Sequence, residues 1–183
     1  MARRSLGLLG LTVLGAALLA ACGGGTSGHV LTNAAVPAVL QLKQGNTQAA
    51  LSLASEFNKT YPGCTAAYAV FTLDGRRTTP VLTGKVIYPQ LFSESADCPS
   101  ASKASAVFET VVKRVTSFGA KTITGIGDGA ILATSATAKA NSYTIFWRHG
   151  VTLASVQLAG PAGDSHITAA ETELLARHQI ALQ

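Results

Sequence analysis

From Ser100 to Phe118 the apolar positions Ala104, Val107, Phe108, Val111, Val112, Val115 and Phe118 recur at helical period. Lys103, Glu109, Lys113 and Arg114 occupy the other faces. This predicts an amphipathic helix, stopped by Gly119 just past its end. A second helix is expected over residues 47–58, with Ala50, Leu51, Ala54 and Phe57 or Asn58 on one side. A third is expected over 168–181. There Thr168 and Glu171 make a capping-box pattern, and Ala170, Leu174, Leu175 and Leu182 supply the apolar face. Val36 to Leu42 suits either a helical turn with Pro37 at its first position or a strand.

Between these helices the pattern changes to strands. Residues 65–73 alternate, with Ala67, Ala69, Phe71 and Leu73 on one side and Tyr68, Val70 and Thr72 on the other. Val81 to Tyr88, beyond Asp74-Gly75, is expected to complete a hairpin with them. Residues 121–134 read as strand interrupted by Gly125-Ile126-Gly127-Asp128-Gly129. Residues 142–148 and 151–158 form a further hairpin turning at Arg148-His149-Gly150. In its second strand the apolar positions change parity, from Val151 and Leu153 to Val156 and Leu158. Either a bulge intervenes or both faces are covered. Hairpins with amphipathic helices between them predict an α+β domain, a mainly antiparallel sheet flanked by helices.

The longest apolar run has a different meaning. Arg3-Arg4, the stretch from Leu6 to Leu19 and the small residues before Cys22 form the three parts of a secretory signal. The run is shorter than the roughly 20 residues that span a hydrocarbon core, and three glycines dilute it. Leu19-Ala20-Ala21-Cys22 resembles the lipobox of bacterial envelope lipoproteins. That resemblance implies removal of residues 1–21, acylation of Cys22 by membrane lipid, and a place outside the cytoplasm at the cell membrane or envelope. Residues 22–34, rich in glycine with Thr26 and Ser27, then form a flexible tether, the alternative being that Val30-Leu31 already joins a first strand. Residues 35–183 form the single globular domain.

Charge and cysteines narrow the partners. The formal charge of +5 comes from dispersed Lys and Arg, with no basic stripe carrying interleaved aromatics, so nucleic acid is not an expected partner. Arg3 and Arg4 depart with the signal. Beyond Cys22 only Cys64 and Cys98 remain, an even pair in an oxidising compartment and therefore a disulfide.

No motif carries catalysis, a cofactor or a metal. His29, His149, His166 and His178 lack metal-site spacing, and Glu171 and Glu173 point to different sides of a helix. The segment 125–129 lacks a following helix to cradle phosphate and reads as a tight turn into a strand. An envelope hydrolase built from a serine, His149 or His166, and Asp128 is the catalytic alternative. A binding site, if formed, is expected where Tyr68, Tyr88, Tyr143 and Trp147 converge between sheet and helix. Its occupant would be an envelope protein or a small apolar ligand.

Residues 100–182 also resemble actinobacterial lipoproteins with sensor-like or PsbP-like α+β domains. The resemblance rests on Gly-Ile-Gly-Asp-Gly-Ala at 125–130, the hairpin from Tyr143 to Leu153 and the final Ala/Leu helix. It implies a helix-flanked antiparallel sheet and a binding rather than catalytic role, and it carries over no active-site residues.

Overall fold

The computed structural model describes residues 29–45, 47–73, 88–116 and 119–183. The signal, the lipobox and most of the tether therefore lie outside the described residues. Among the described residues seven strands form one antiparallel sheet: β1 (Lys43–Gly45), β2 (Thr65–Thr72), β3 (Gln90–Asp97), β4 (Lys121–Ile123), β5 (Gly129–Ala136), β6 (Ala140–His149) and β7 (Thr152–Pro161). Their spatial order is β1-β2-β3-β7-β6-β5-β4. Three helices accompany them: α1 (Thr47–Thr60), α2 (Ala101–Thr116) and α3 (Ala169–Ile180). The expected α+β class and antiparallel sheet are what the chain forms.

The sheet is covered on both sides. Odd-numbered β2 residues Ala69 and Phe71, with Val156, Leu158 and Trp147, pack against Leu175 and Ala176 of α3 and against Leu31 and Leu40. Even-numbered positions such as Ala66, together with Leu153 and Phe146, pack against Phe57 of α1 and Ala104 and Val107 of α2. Two covered faces resolve the parity change in β7. The β6–β7 register runs unbroken from His149↔Thr152 to Ala140↔Pro161, so no bulge is needed.

The helix forms over Ala101–Thr116 with the stripe from Ala104 to Val115 inward, Phe118 lies outside the described residues, and Gly119 has φ 83°. In α1 Leu51 points outward, 60% exposed, while Phe57 is buried. The α3 face also differs from expectation. Leu174 and Leu182 are exposed, and the buried positions are Thr172, Leu175, Ala176 and Gln179. Two of those four are polar, so an apolar count rotates the helix the wrong way. Thr168 does cap it, its Oγ1 accepting from the Glu171 N–H at 3.1 Å. The segment with the open reading, Val36 to Leu42, contains a single 3-10 turn at Ala38–Leu40 with Pro37 at its N-cap.

Two further expectations are corrected. The long partner of β2 is β3, with Tyr68 opposite Glu94 and Thr72 opposite Gln90. On its other edge β2 pairs with β1, Thr72 opposite Lys43. Residues 81–87, expected to pair there, lie outside the described residues. The packed domain also begins before residue 35. Val30 and Leu31 are buried in the core, and the Leu31 N–H donates to Ser93 Oγ at 2.9 Å, so these residues are not tether.

Cys64 and Cys98 form a disulfide with a Cα–Cα distance of 4.0 Å. Thr65 pairs with Asp97, so the two cysteines stand opposite one another just beyond the ends of β2 and β3. The bond therefore joins the approach from α1 to the departure into α2.

Candidate functional site

A cleft of about 430 Å³ lies between the sheet and helices α1 and α2. Its floor is built by register. Tyr68, Glu94, Ser155, Phe146 and Ile131 stand opposite one another across β2, β3, β7, β6 and β5. One step along, Phe92, Gln157, Thr144 and Ala133 make a parallel row. Side chains two residues apart on a strand share a face, so both rows look into the same space. Phe57 and Tyr61 of the α1 end and Val111 and Val115 of α2 form the walls. The Phe57 and Tyr61 rings lie 4.8 Å apart, and Phe146 stacks on Phe108 at 5.5 Å.

Glu94 is the chemically distinctive residue of this floor. Its Oε2 accepts a hydrogen bond from Ser155 Oγ at 2.9 Å, and the Tyr68 hydroxyl also bonds to the carboxyl. Burial raises the Glu94 carboxyl above its ordinary range, outweighing these two bonds, which favour the ionised form. Tyr68 is held well above the usual phenol range, first by burial and then by the charge and hydrogen bond of Glu94. The pair thus favours a neutral carboxyl beside a neutral phenol. Glu94 Oε1 is enclosed and has no hydrogen-bond partner among the described residues. An unsatisfied buried polar atom costs about 1–3 kcal/mol. The same β7 strand adds Gln157, whose Nε2 donates to Ser142 Oγ at 3.0 Å.

The reverse face holds Glu94 from behind. Gln179 of α3 is fully buried, and its Nε2 donates to the Glu94 backbone oxygen at 2.6 Å. Ser93 Oγ donates to Gln179 Oε1 at 2.7 Å. This network fixes the β3 backbone where the carboxyl emerges on the other side.

The four aromatics expected to converge do not. Tyr68 alone lines the cleft. Trp147 is fully buried in the α3-side core, its Nε1 donating to Gln183 Oε1 at 3.3 Å, and Tyr143 packs against the same core. Tyr88 stands half-buried just before β3 and is not part of the cleft lining. Alternation explains the split, because Tyr143 and Trp147 are odd positions of β6 while its even positions, Thr144 and Phe146, face the cleft.

Asp128 has a structural position. Its Oδ2 accepts from the Gly150 N–H at 2.8 Å and lies 3.2 Å from Arg148 Nη1. Its N–H donates to the Arg148 oxygen at 2.7 Å. The segment 125–129 is therefore a tight turn clasping the β6–β7 hairpin. His149 Nδ1 is 3.7 Å from Asp128 Oδ1 on this exposed turn, and His166 lies apart, its N–H donating to Asp164 Oδ1. Among the described residues no hydrogen bond joins a serine hydroxyl to either histidine, and no group of three His, Cys, Asp or Glu could hold a metal. No described helix is long and apolar enough to cross a membrane.

Glu94 escaped sequence reasoning because its neighbours along the chain announce nothing. The available signal was a short segment between Pro89 and Pro99 with Leu91, Phe92 and Ala96 on alternating faces and an acid at its centre. Compared with protein families, with curated proteins and with solved structures, the chain matches none.

Proposed function

We propose that this chain is a lipid-anchored lipoprotein of the bacterial cell envelope with a non-enzymatic binding domain. Its ligand is a small, largely apolar molecule held in the cleft between the sheet and helices α1 and α2. The observation that carries the binding role is the cleft itself. Its volume of about 430 Å³ falls within the range of small-molecule sites. It is walled by aromatic and aliphatic side chains around a few polar groups, the composition that orients an apolar ligand.

The location rests on the sequence. Arg3-Arg4, the apolar run and Leu19-Ala20-Ala21-Cys22 support export followed by acylation of Cys22. The disulfide fits an oxidising compartment outside the cytoplasm. Anchoring by two or three acyl chains is nearly permanent, at about 0.8 kcal/mol per buried methylene, so the cleft would work within reach of a bilayer.

Two measurements test this reading. Mass spectrometry of the product from its native host is expected to find an N-terminal acylated Cys22, and an N-terminus elsewhere would refute the anchor. The full chain is expected to bind the apolar fluorophore Nile red saturably, and Ala133→Trp, which fills the cleft floor, is expected to abolish binding. Binding unchanged by Ala133→Trp would refute the cleft as the site.

A further inference from the structure

Building on the cleft as a binding site, we propose that its occupant is an organic cation, an alkylated ammonium group on an apolar body, paired with Glu94 and enclosed by aromatic rings. Three observations converge. Glu94 Oε1 is enclosed by the protein and unpartnered among the described residues, although Oε2 is bonded to Ser155. A purely structural acid would be expected to satisfy both oxygens. Phe57, Tyr61, Tyr68, Phe92 and Phe146 surround the same space, and aromatic faces attract cations. Finally, the described lining contains no Lys, Arg or His, so these residues offer an ionisable carboxyl and negative ring faces without a positive partner.

The surrounding charges reinforce that sign. Tyr68 from β2 and Tyr61 from the α1 end line the cleft with Glu94, and Glu56 of α1 acts on the Tyr68 hydroxyl. The described lining from α2, β5, β6 and β7 is uncharged. An arriving cation pairs with the ionised form of Glu94 and offsets the cost of burying that charge. The rings meanwhile accept the alkyl groups that a small hydrated ion lacks. That selects bulky ammonium groups over sodium or potassium.

The test compares choline with its neutral isostere 3,3-dimethyl-1-butanol, titrated into the full chain and followed by NMR shifts of Tyr68, Ser155 and Thr144. Choline is expected to bind about tenfold more tightly than the alcohol, and Glu94→Gln is expected to remove that preference while leaving alcohol binding within about twofold. Equal binding of the two probes by the wild-type chain would overturn the cation assignment and leave the cleft reading standing. A preference that persists in Glu94→Gln would overturn it as well. Shifts from neither probe, with no saturable Nile red binding, would overturn both. Should Glu94→Gln fail to fold, the wild-type preference for choline decides the matter, read again in Ala133→Trp, where its persistence would overturn the proposal.

Discussion

Ser155 Oγ donates to Glu94 Oε2 at 2.9 Å across the β3–β7 seam, and burial nevertheless keeps that carboxyl above its ordinary range. The folded chain therefore holds the Glu94 proton more tightly than the unfolded chain does. The stability this contributes is complete below the unfolded carboxylate pKa of about 4.3 and is lost as pH rises through the raised folded value. Glu94→Gln keeps an acceptor for Ser155 and removes the titration. Urea unfolding across pH is expected to show the variant gaining on wild type as pH rises, by about 1–3 kcal/mol at the upper end. A gap that does not change with pH would contradict the shifted carboxyl.

Gln179 links three parts of the fold through Ser93, the Glu94 backbone and, by way of Ser93, the N–H of Leu31. Gln179→Ala is expected to destabilise by about 2–4 kcal/mol, because it opens a cavity and strands buried polar groups. A double-mutant cycle with Ser93→Ala should show coupling of about 0.5–3 kcal/mol. Additive losses would mean that the two residues do not act as one network.

At Gly127 an added Cβ would lie 2.2 Å from the Arg148 carbonyl oxygen, with φ at 54°. Backbone cannot swing aside as a flexible side chain can. Gly127→Ala is expected to cost about 2–3 kcal/mol or more, measured by denaturant unfolding. Gly119 shares a positive φ but has nothing within 4 Å of the added carbon, so Gly119→Ala should cost only about 1–2 kcal/mol. Equal losses would show that the clash contributes nothing.

Replacing Cys64 and Cys98 together by serine is expected to lower stability by about 2–5 kcal/mol. The bond closes a loop with a sequence separation of 34, whose ends the β2–β3 pairing also holds together. Thiol titration of the untreated wild-type chain should find neither of these sulfurs free. Reactive thiols from both would show that the bond does not form.

The helices, the disulfide and the β6–β7 hairpin were legible because each is a local or pairwise pattern. The stripe from Ala104 to Val115 turns inward as its period requires, and two cysteines leave one pairing. What escaped was set by distant chain. The strand Gln90–Asp97 carries three polar residues, Ser93, Glu94 and Ser95, at its centre, yet Ser93 and Ser95 are fully buried. Ser93 is sustained by Leu31 and Gln179, far away in sequence. The same tertiary override turned α3, where Thr172 and Gln179 displaced Leu174 and Leu182 from the core. The site was less legible still. Tyr68 lines the cleft while Trp147 fills the opposite core, and Glu94 gains meaning only with β2, β3 and β7 side by side.

Because the Cys64–Cys98 bond sits between the last turn of α1 and the first turn of α2, it works like the pivot of a pair of tongs. Phe57 and Tyr61 ride close to that pivot, while Val111 and Val115 are carried far out along the other arm. A guest that needs more room is therefore expected to displace the far end of α2 more readily than Phe57 and Tyr61.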